Sequence, residues 1–243
     1  MNITRKWKRL LAVGCSHGNL IDPVARKAVL DFRTRWKPDK TIHLGDFVDT
    51  AAFRAGAKGT SDESEPITPD FEAGLSFLKD LRPNLIFCGN HEARLWRLRS
   101  DNRAIVSELS SDLIDRIRTR AALCKAELVE DWSIRGYRTV GNYKFMHGYI
   151  FNENACRDHA EAHGNVVFAH THRAGMAKGR RDDNPTGYCV GTLSNIPNMD
   201  YANTKKSTLS WCGGFVWGEY CDDRSVLWVH EQPQNQTEWR LPA

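Results

Sequence analysis

Short apolar runs that stop at polar, turn-forming residues set the rhythm of the first half of the chain. Leu10–Gly14 leads into Cys15-Ser16-His17, Thr41–Leu44 into Gly45-Asp46, and Leu85-Ile86-Phe87-Cys88 into the turn Gly89-Asn90-His91 and Glu92. Runs of this length, bounded by turn residues, predict buried strands. Helices are predicted between them. Asp22 before Pro23 is an N-cap with proline at the first helical position, and opens a helix from about Val24 to Thr34. Pro38-Asp39 is a turn. Residues 50–68, rich in Ala, Gly, Ser and Glu, read as a mobile loop, and Thr68 caps a helix from Pro69 to near Leu81.

From Glu92 to about Leu128 the apolar residues recur at three- and four-residue steps: Leu95, Trp96 and Leu98, then Leu109, Leu113, Ile114 and Ile117. That spacing predicts two helices broken near Ser100-Asp101-Asn102. Past Trp132 the pattern returns to strands at Tyr137–Val140, Tyr143–Met146, Val166–Ala169, Tyr188–Val190, Leu209–Trp217 and Val226–Val229. Gly141-Asn142 turns a hairpin, and a helix from about Glu153 to Ala162 precedes Val166. The tail from Gln232 is polar and irregular. Alternating strands and helices with polar residues at the strands' C-terminal ends predict an α/β sheet whose ligands bind at that end. No repeat or linker divides the chain, so residues 1–243 form one domain.

Composition changes this picture little. A length of 243 residues allows one large buried core. No apolar run is long enough to span a membrane. The net charge of +4 permits an anionic partner without requiring one. Basic residues bunch at Arg5-Lys6 with Lys8-Arg9, at Arg94, Arg97, Arg99 and Arg103, at Arg116, Arg118 and Arg120, and at Lys178, Arg180 and Arg181. Such clusters are ordinarily solvated surface. Seven cysteines without framework spacing indicate reduced thiols and a cytoplasmic location. Leu11-Ala12-Val13-Gly14-Cys15 imitates a lipoprotein cleavage site, but its apolar core is too short for a signal peptide. The sequons Asn2-Ile3-Thr4 and Asn235-Gln236-Thr237 go unused in that compartment.

The candidate chemistry sits where the apolar runs end. Gly14-Cys15-Ser16-His17-Gly18-Asn19, Gly45-Asp46-Phe47-Val48-Asp49, Gly89-Asn90-His91-Glu92, His147-Gly148 and Ala169-His170-Thr171-His172 hold much of the chain's supply of metal-ligating side chains. Two adjacent divalent metals need a bridging carboxylate and about three further donors each. Cys15, His17, Asp46, Asn90, His147, His170 and His172 are the candidates. Cys15 and His17, two residues apart on an extended segment, point the same way. His43, His159, His163 and His230 match no motif position and read as packing or ordinary histidines. Trp96, Trp211, Trp217 and Trp228 read as core.

In order and spacing these motifs resemble the calcineurin-like metallophosphoesterases, whose pattern runs D-x-H, G-D-x-x-D, G-N-H-[DE], a lone H, then G-H-x-H. The resemblance covers residues from about 10 to 175. It implies a four-layer αββα sandwich of two mixed sheets flanked by helices, with residues 93–130 as a helical insertion. It implies that Asp46 bridges two metals, that His17 and His172 bind the first, and that Asn90, His147 and His170 bind the second. His91 would protonate the leaving oxygen and Asp49 would orient His91, after in-line attack on phosphorus by a metal-held hydroxide. Asn90 would touch both metal and phosphate. Arg94, three residues past His91, is placed either to reach a substrate phosphate or to pair with Glu92 or another acid.

Two departures from the family pattern matter. Ala169 replaces a glycine, a minor change if the backbone there has negative φ. Cys15 replaces the first aspartate. As a thiolate it would still bind the first metal, and its soft sulfur favours Zn or Fe over Mn or Mg in what would be a divalent or mixed-valence pair of Mn, Zn or Fe. The protein Ser/Thr phosphatases share Gly-Asp-x-Val-Asp and Gly-Asn-His-Glu, but follow the second Asp with an arginine where this chain has Thr50. The His170-Thr171-His172 ending looks more like the phosphodiesterases and nucleases. The leading expectation is therefore a phosphodiesterase acting on nucleic acid, DNA ahead of RNA, with the arginines from Arg94 to Arg120 as a positive rim. The alternatives are a phosphomonoesterase for a nucleotide or phosphoprotein, and a catalytically weak scaffold that binds nucleic acid or protein.

Overall fold

The computed structural model describes residues 6–199, 206–233 and 238–242. Arg5 and both sequons lie outside the described residues. The strands are β1 (Lys8–Val13), β2 (Lys40–His43), β3 (Leu85–Phe87), β4 (Glu127–Val129), β5 (Arg138–Val140) and β6 (Tyr143–Phe145), followed by β7 (Val166–Phe168), β8 (Ala174–Lys178), β9 (Thr186–Val190), β10 (Gly213–Tyr220) and β11 (Ser225–Gln232). The α-helices are α1 (Pro23–Trp36), α2 (Ile67–Leu81), α3 (Asn90–Leu98), α4 (Ala104–Leu123) and α5 (Ala155–His163).

Two mixed sheets result. The first has the order β11-β10-β1-β2-β3-β4, with β1 to β4 parallel and β10 and β11 antiparallel. The second has the order β5-β6-β7-β9-β8, parallel at its centre and antiparallel at both edges. Side chains alternate across each strand and so feed two cores. Leu10 and Ala12 of β1 join Ile42, Leu85 and Phe87 against Phe145, Val167 and Val190 of the second sheet. Leu11 and Val13 face the other way, onto Val29 and Phe32 of α1 and Phe77 and Leu81 of α2. Ile86 and Leu128 pack against α2 and α4. Val166 and Phe168 pack beneath α5. The layers are therefore α, β, β, α, with α3 and α4 as the helical insertion after the third motif.

Asp22 caps α1 as expected, its carboxylate accepting from the Val24 N–H at 2.8 Å. Thr68 does not cap α2. The helix starts at Ile67 behind Pro66 with no side-chain cap, and Pro69 falls in the first turn, where an N–H has no intrahelical partner to lose. The expected Gly-Asn-His turn is already helix, since α3 begins at Asn90. Two strands escape the periodicity. β4 lies in the stretch read as helical to Leu128, and the edge strand β8, Ala-Gly-Met-Ala-Lys, is poor in strand-forming residues. The predicted loop 50–68 contains two 3-10 turns, Ala51–Phe53 and Ser61–Ser64, bridged by an Arg54–Asp62 ion pair. The tail is not irregular throughout. Gln232 ends β11, and Trp239 stacks on Phe215 with ring centroids 6.3 Å apart. No helix of the described residues is long and apolar enough to cross a membrane.

Candidate metal centre

The loops after β1, β2, β3, β6 and β7 meet at one end of the sandwich. Cys15, His17, Asp46, His170 and His172 all have φ between 49° and 67°. Left-handed backbone is uncommon outside glycine and marks sites whose surroundings enforce it. The extended segment expected at Cys15–His17 is thus replaced by a kinked one, which still gathers Cys15, His17 and His172 with their ligand atoms within 4.8 Å of one another. The kink is held by backbone bonds: Cys15 N–H donates to the Gly45 carbonyl at 2.9 Å and His17 N–H to that of Asp46 at 2.9 Å. Ala169 is not among the described residues with positive φ, so it fits where the family has glycine. Gly89 is required for space: a Cβ there would lie 2.2 Å from Asp46 Oδ1 and 2.6 Å from the His147 ring.

Two buried carboxylates hold the second loop, and sequence reasoning missed both roles. Glu92 Oε2 accepts from the N–H groups of Asp46 and Gly89 at 2.9 and 2.7 Å, and Oε1 from those of Phe47 and Val48 at 2.8 and 3.1 Å. Burial and the Asp46 charge push Glu92 up to about 7, against the pull of these donors. Asp70 accepts from the next two N–H groups, of Asp49 and Thr50, at 2.8 and 2.9 Å. The only local signal for Glu92 was its place as the last residue of the third motif, in the first turn of α3. Asp70 had none, because its partners lie some twenty residues upstream.

Asp46 is central. Its Oδ1 accepts the His91 N–H at 3.0 Å, and its Oδ2 lies 3.2 Å from His147 Nε2, 3.9 Å from His91 Nε2 and 4.0 Å from His17 Nε2. Burial opposes its charge, but the surrounding histidines hold it well below the ordinary carboxylate range. His147 donates from Nδ1 to the Leu44 carbonyl at 2.7 Å and turns Nε2 toward Asp46 and, at 3.1 Å, Asn90 Oδ1; burial opposes a charge on the ring, but Asp46 outweighs it and raises its pKa. Asn90 Oδ1 is also 2.9 Å from His170 Nδ1. His17 uses Nδ1 on Asp49 Oδ1 at 2.9 Å and turns Nε2 toward His172 Nε2 at 3.0 Å. The Nδ1 of His172 is buried with no hydrogen-bond partner. Burial, then the charges of nearby histidines, depress both His170, to about 3, and His172. A buried ring nitrogen left without a partner costs free energy that a bound cation would recover. The imidazole, carboxylate, amide and thiol donors fit a divalent metal.

Cys15 is fully buried, and its Sγ accepts the His170 N–H at 3.3 Å. It belongs to two ligand groups, one with His17 and His172 and one with Asp46 and His147. A third group joins His17, Asp49 and His91. Asp49 thus touches both a candidate ligand and the candidate acid. His91 Nδ1 lies 2.6 Å from the Asp49 carbonyl and 3.1 Å from Asp49 Oδ1. Burial disfavours a charged His91 ring, but Asp46 and Asp49 outweigh it and raise its pKa above the ordinary value. Arg94 does not pair with Glu92. Its Nη1 donates to the carbonyls of Asp49 and Thr50 at 2.7 and 3.2 Å.

Of the insertion's arginines, Arg103 pairs with Asp101, Arg116 with Glu72 and Arg118 with Glu130, while Arg97 and Arg99 are exposed. His43 sits behind the site, its Nε2 at 3.2 Å from Ser16 Oγ. Trp211, expected in the core, sets its ring edge-on to that of His172, centroids 4.3 Å apart.

Fold and site together define an α/β sandwich with a candidate divalent-metal centre at its strand ends. No family model matches the chain. It is similar to the Gene 54 proteins of Mycobacterium phages L5 and D29, each 25% identical over 86% of this chain and over 88% and 87% of theirs. Among solved structures it is similar to Yfce, a phosphoesterase from E. coli, at 14% identity over 87% of both chains with a TM-score of 0.39. It is also similar to Chaetomium thermophilum Vps29, at 12% identity over 92% of this chain and 95% of that one with a TM-score of 0.36.

Proposed function

We propose that this protein is a metal-dependent phosphoester hydrolase of the calcineurin-like kind, and that it cleaves phosphodiester bonds in nucleic acid, DNA ahead of RNA. The observation that carries the reading is the convergence of the motifs around Asp46: His17, His91 and His147 face its Oδ2, while His170 and His172 join the same cluster at Asn90 Oδ1 and His17 Nε2. Asp46 would hold both metals, together with Cys15, His17 and His172 for one and Asn90, His147 and His170 for the other. Bound there, the metal pair supplies an activated water and neutralises charge on the phosphate. His91 is the general acid. Asp49 holds its Nδ1, its Nε2 faces the site, and its raised pKa keeps a proton available near neutrality.

Charge favours the diester. A phosphomonoester brings about two negative charges and a diester one. The arginine that grips phosphate in the Ser/Thr phosphatases is Thr50 here, and Arg94 is committed to backbone carbonyls. Three arginines of the insertion are ion-paired, and the exposed Arg97 and Arg99 are available for the expected positive rim.

The test is hydrolysis of bis(p-nitrophenyl) phosphate against p-nitrophenyl phosphate by protein stripped and reloaded with Mn, Zn or Fe. Preference for the diester is expected, followed by cleavage of DNA and RNA. Preference for the monoester would turn the reading toward nucleotides or phosphoproteins. Inertness toward both with metal bound would leave a binding scaffold.

A further inference from the structure

The candidate site is open on one side. Cys15, His17, Asp46, His147 and His172 are buried, whereas Asn90, His91 and His170 are partly exposed. A substrate reaches the centre across those three. Beside His170 stand two aromatic rings, Phe151 and Trp132, each with its centroid 6.4 Å from the imidazole. Tyr149 and Ile150 pack onto the core beneath α5, but Phe151 is left 77% exposed. Its segment is nonetheless held. Arg173 Nη2 donates to the carbonyls of Phe151 and Asn152 at 2.9 and 2.5 Å. Trp132 Nε1 donates to the Gly148 carbonyl at 2.9 Å.

A lone exposed phenylalanine on a surface needs no explanation. This one has a tethered backbone and a position on the rim of the site, where Trp132 flanks the same His170 imidazole. We infer that Phe151 and Trp132 form a stacking subsite for the unstacked base of the nucleotide that carries the scissile phosphate. The inference rests on the phosphodiesterase reading above and narrows it. Aromatic rings accept any base through its π-face, so the subsite selects for a free base and little for sequence. A base stacked there must leave its duplex, so single strands, ends and loops are cut in preference to paired DNA.

The test compares the p-nitrophenyl ester of thymidine 5′-phosphate with methyl p-nitrophenyl phosphate on the metal-loaded full chain. Both release p-nitrophenolate and only the first carries a base. The wild type favours the thymidine ester through a lower KM. The ratio of the two kcat/KM values falls about tenfold in Phe151→Ala, within the range for loss of one base–aromatic stack, and is kept in Phe151→Trp. A wild type that does not discriminate, or a ratio unmoved by Phe151→Ala, overturns the subsite. Cleavage of neither ester overturns the phosphodiesterase reading instead. The subsite is then decided by fluorescence anisotropy with an oligothymidylate and an abasic strand of equal length. A preference for the thymidylate that Phe151→Ala removes supports it, and equal binding of the two strands refutes it.

Discussion

The two halves of the metal centre are held in opposite ways. In the first sheet's half, five consecutive N–H groups, from Asp46 to Thr50, turn toward the interior and are taken by the carboxylates of Glu92 and Asp70. Successive N–H groups facing one way make an anion-binding concavity, and here the protein fills it with its own side chains. In the second sheet's half the partners are neutral. Ala169 N–H donates to the His147 carbonyl and His170 N–H to Cys15 Sγ, while Thr171 Oγ1 meets Cys189 Sγ at 3.1 Å. Tyr149 N–H donates to His159 Nε2 at 3.2 Å. The first half is a negatively charged seat for the loop that carries Asp46. The second is a softer wall that also carries the aromatic rim.

The sharpest way to break this contrast is Glu92→Ala. It strips the acceptor from four buried N–H groups, each worth about 1–3 kcal/mol when left unsatisfied, less what entering water recovers. A loss of about 4–6 kcal/mol in denaturant unfolding is expected, with loss of bound metal. Cys189→Ala, the matching cut in the neutral half, removes a thiol that donates to the Ala169 carbonyl at 3.4 Å and meets Thr171 Oγ1, two neutral contacts, and should cost about 1–2 kcal/mol. Equal costs would refute the distinction.

Next in size is His91→Gln, which leaves both supports in place. The backbone contacts of His91 with the seat, its N–H on Asp46 Oδ1 and its carbonyl accepting from Thr50 Oγ1 at 3.0 Å, survive the substitution, and only the ring contacts with Asp49 and Asp46 change. Turnover should fall about 10²–10⁴-fold, the span of general acid catalysis, with metal content intact by elemental analysis. Metal lost together with activity would make His91 a ligand instead.

The contrast also marks what could be read before folding. The ligand side chains were legible because each stands at the end of an apolar run, where strand and turn signals are local. Their supports were not, because they act across the fold. Glu92 lies more than forty residues from the loop it holds, and Asp70 sits in the first turn of α2, outside every motif. The two-residue spacing of Cys15 and His17 suggested the right grouping for the wrong reason: both residues are left-handed, a feature that composition does not encode. β8 was lost because Ala and Gly carry no strand pattern, and the rim was lost because Phe151 belongs to no periodic run.

Acid should act on the neutral half through His159. This ring is buried, stacks on Phe168 with centroids 4.0 Å apart, and donates from Nδ1 to the Ala155 carbonyl at 2.8 Å. Burial lowers its pKa to about 4 from an ordinary 6.5. Unfolding lets it bind a proton more readily, so the unfolded state gains as pH falls from 6.5 toward 4. The stability that depends on the neutral ring is complete above 6.5 and gone below 4, a change of about 3 kcal/mol. His159→Gln should flatten the pH dependence of unfolding across that window while costing stability at pH 7. An unchanged slope would show that the ring titrates freely.

The smallest change in stability, and the most informative about the site, is expected of Cys15→Ser. The Cys15 backbone is fixed independently of its side chain: its carbonyl accepts from Thr192 Oγ1 and Ser194 Oγ at 2.7 and 3.0 Å, and its N–H donates to Gly45. A serine oxygen can also accept the His170 N–H, so the fold should lose only about 1 kcal/mol. What changes is the donor. A thiolate binds Zn or Fe strongly, whereas a serine hydroxyl keeps its proton and is a poor ligand. If Cys15 ligates, the variant loses one metal equivalent and most of its hydrolysis while its unfolding midpoint barely moves. If metal content by elemental analysis is unchanged, the sulfur only packs between the two halves, and the first aspartate of the motif has been replaced by a spacer instead of a ligand.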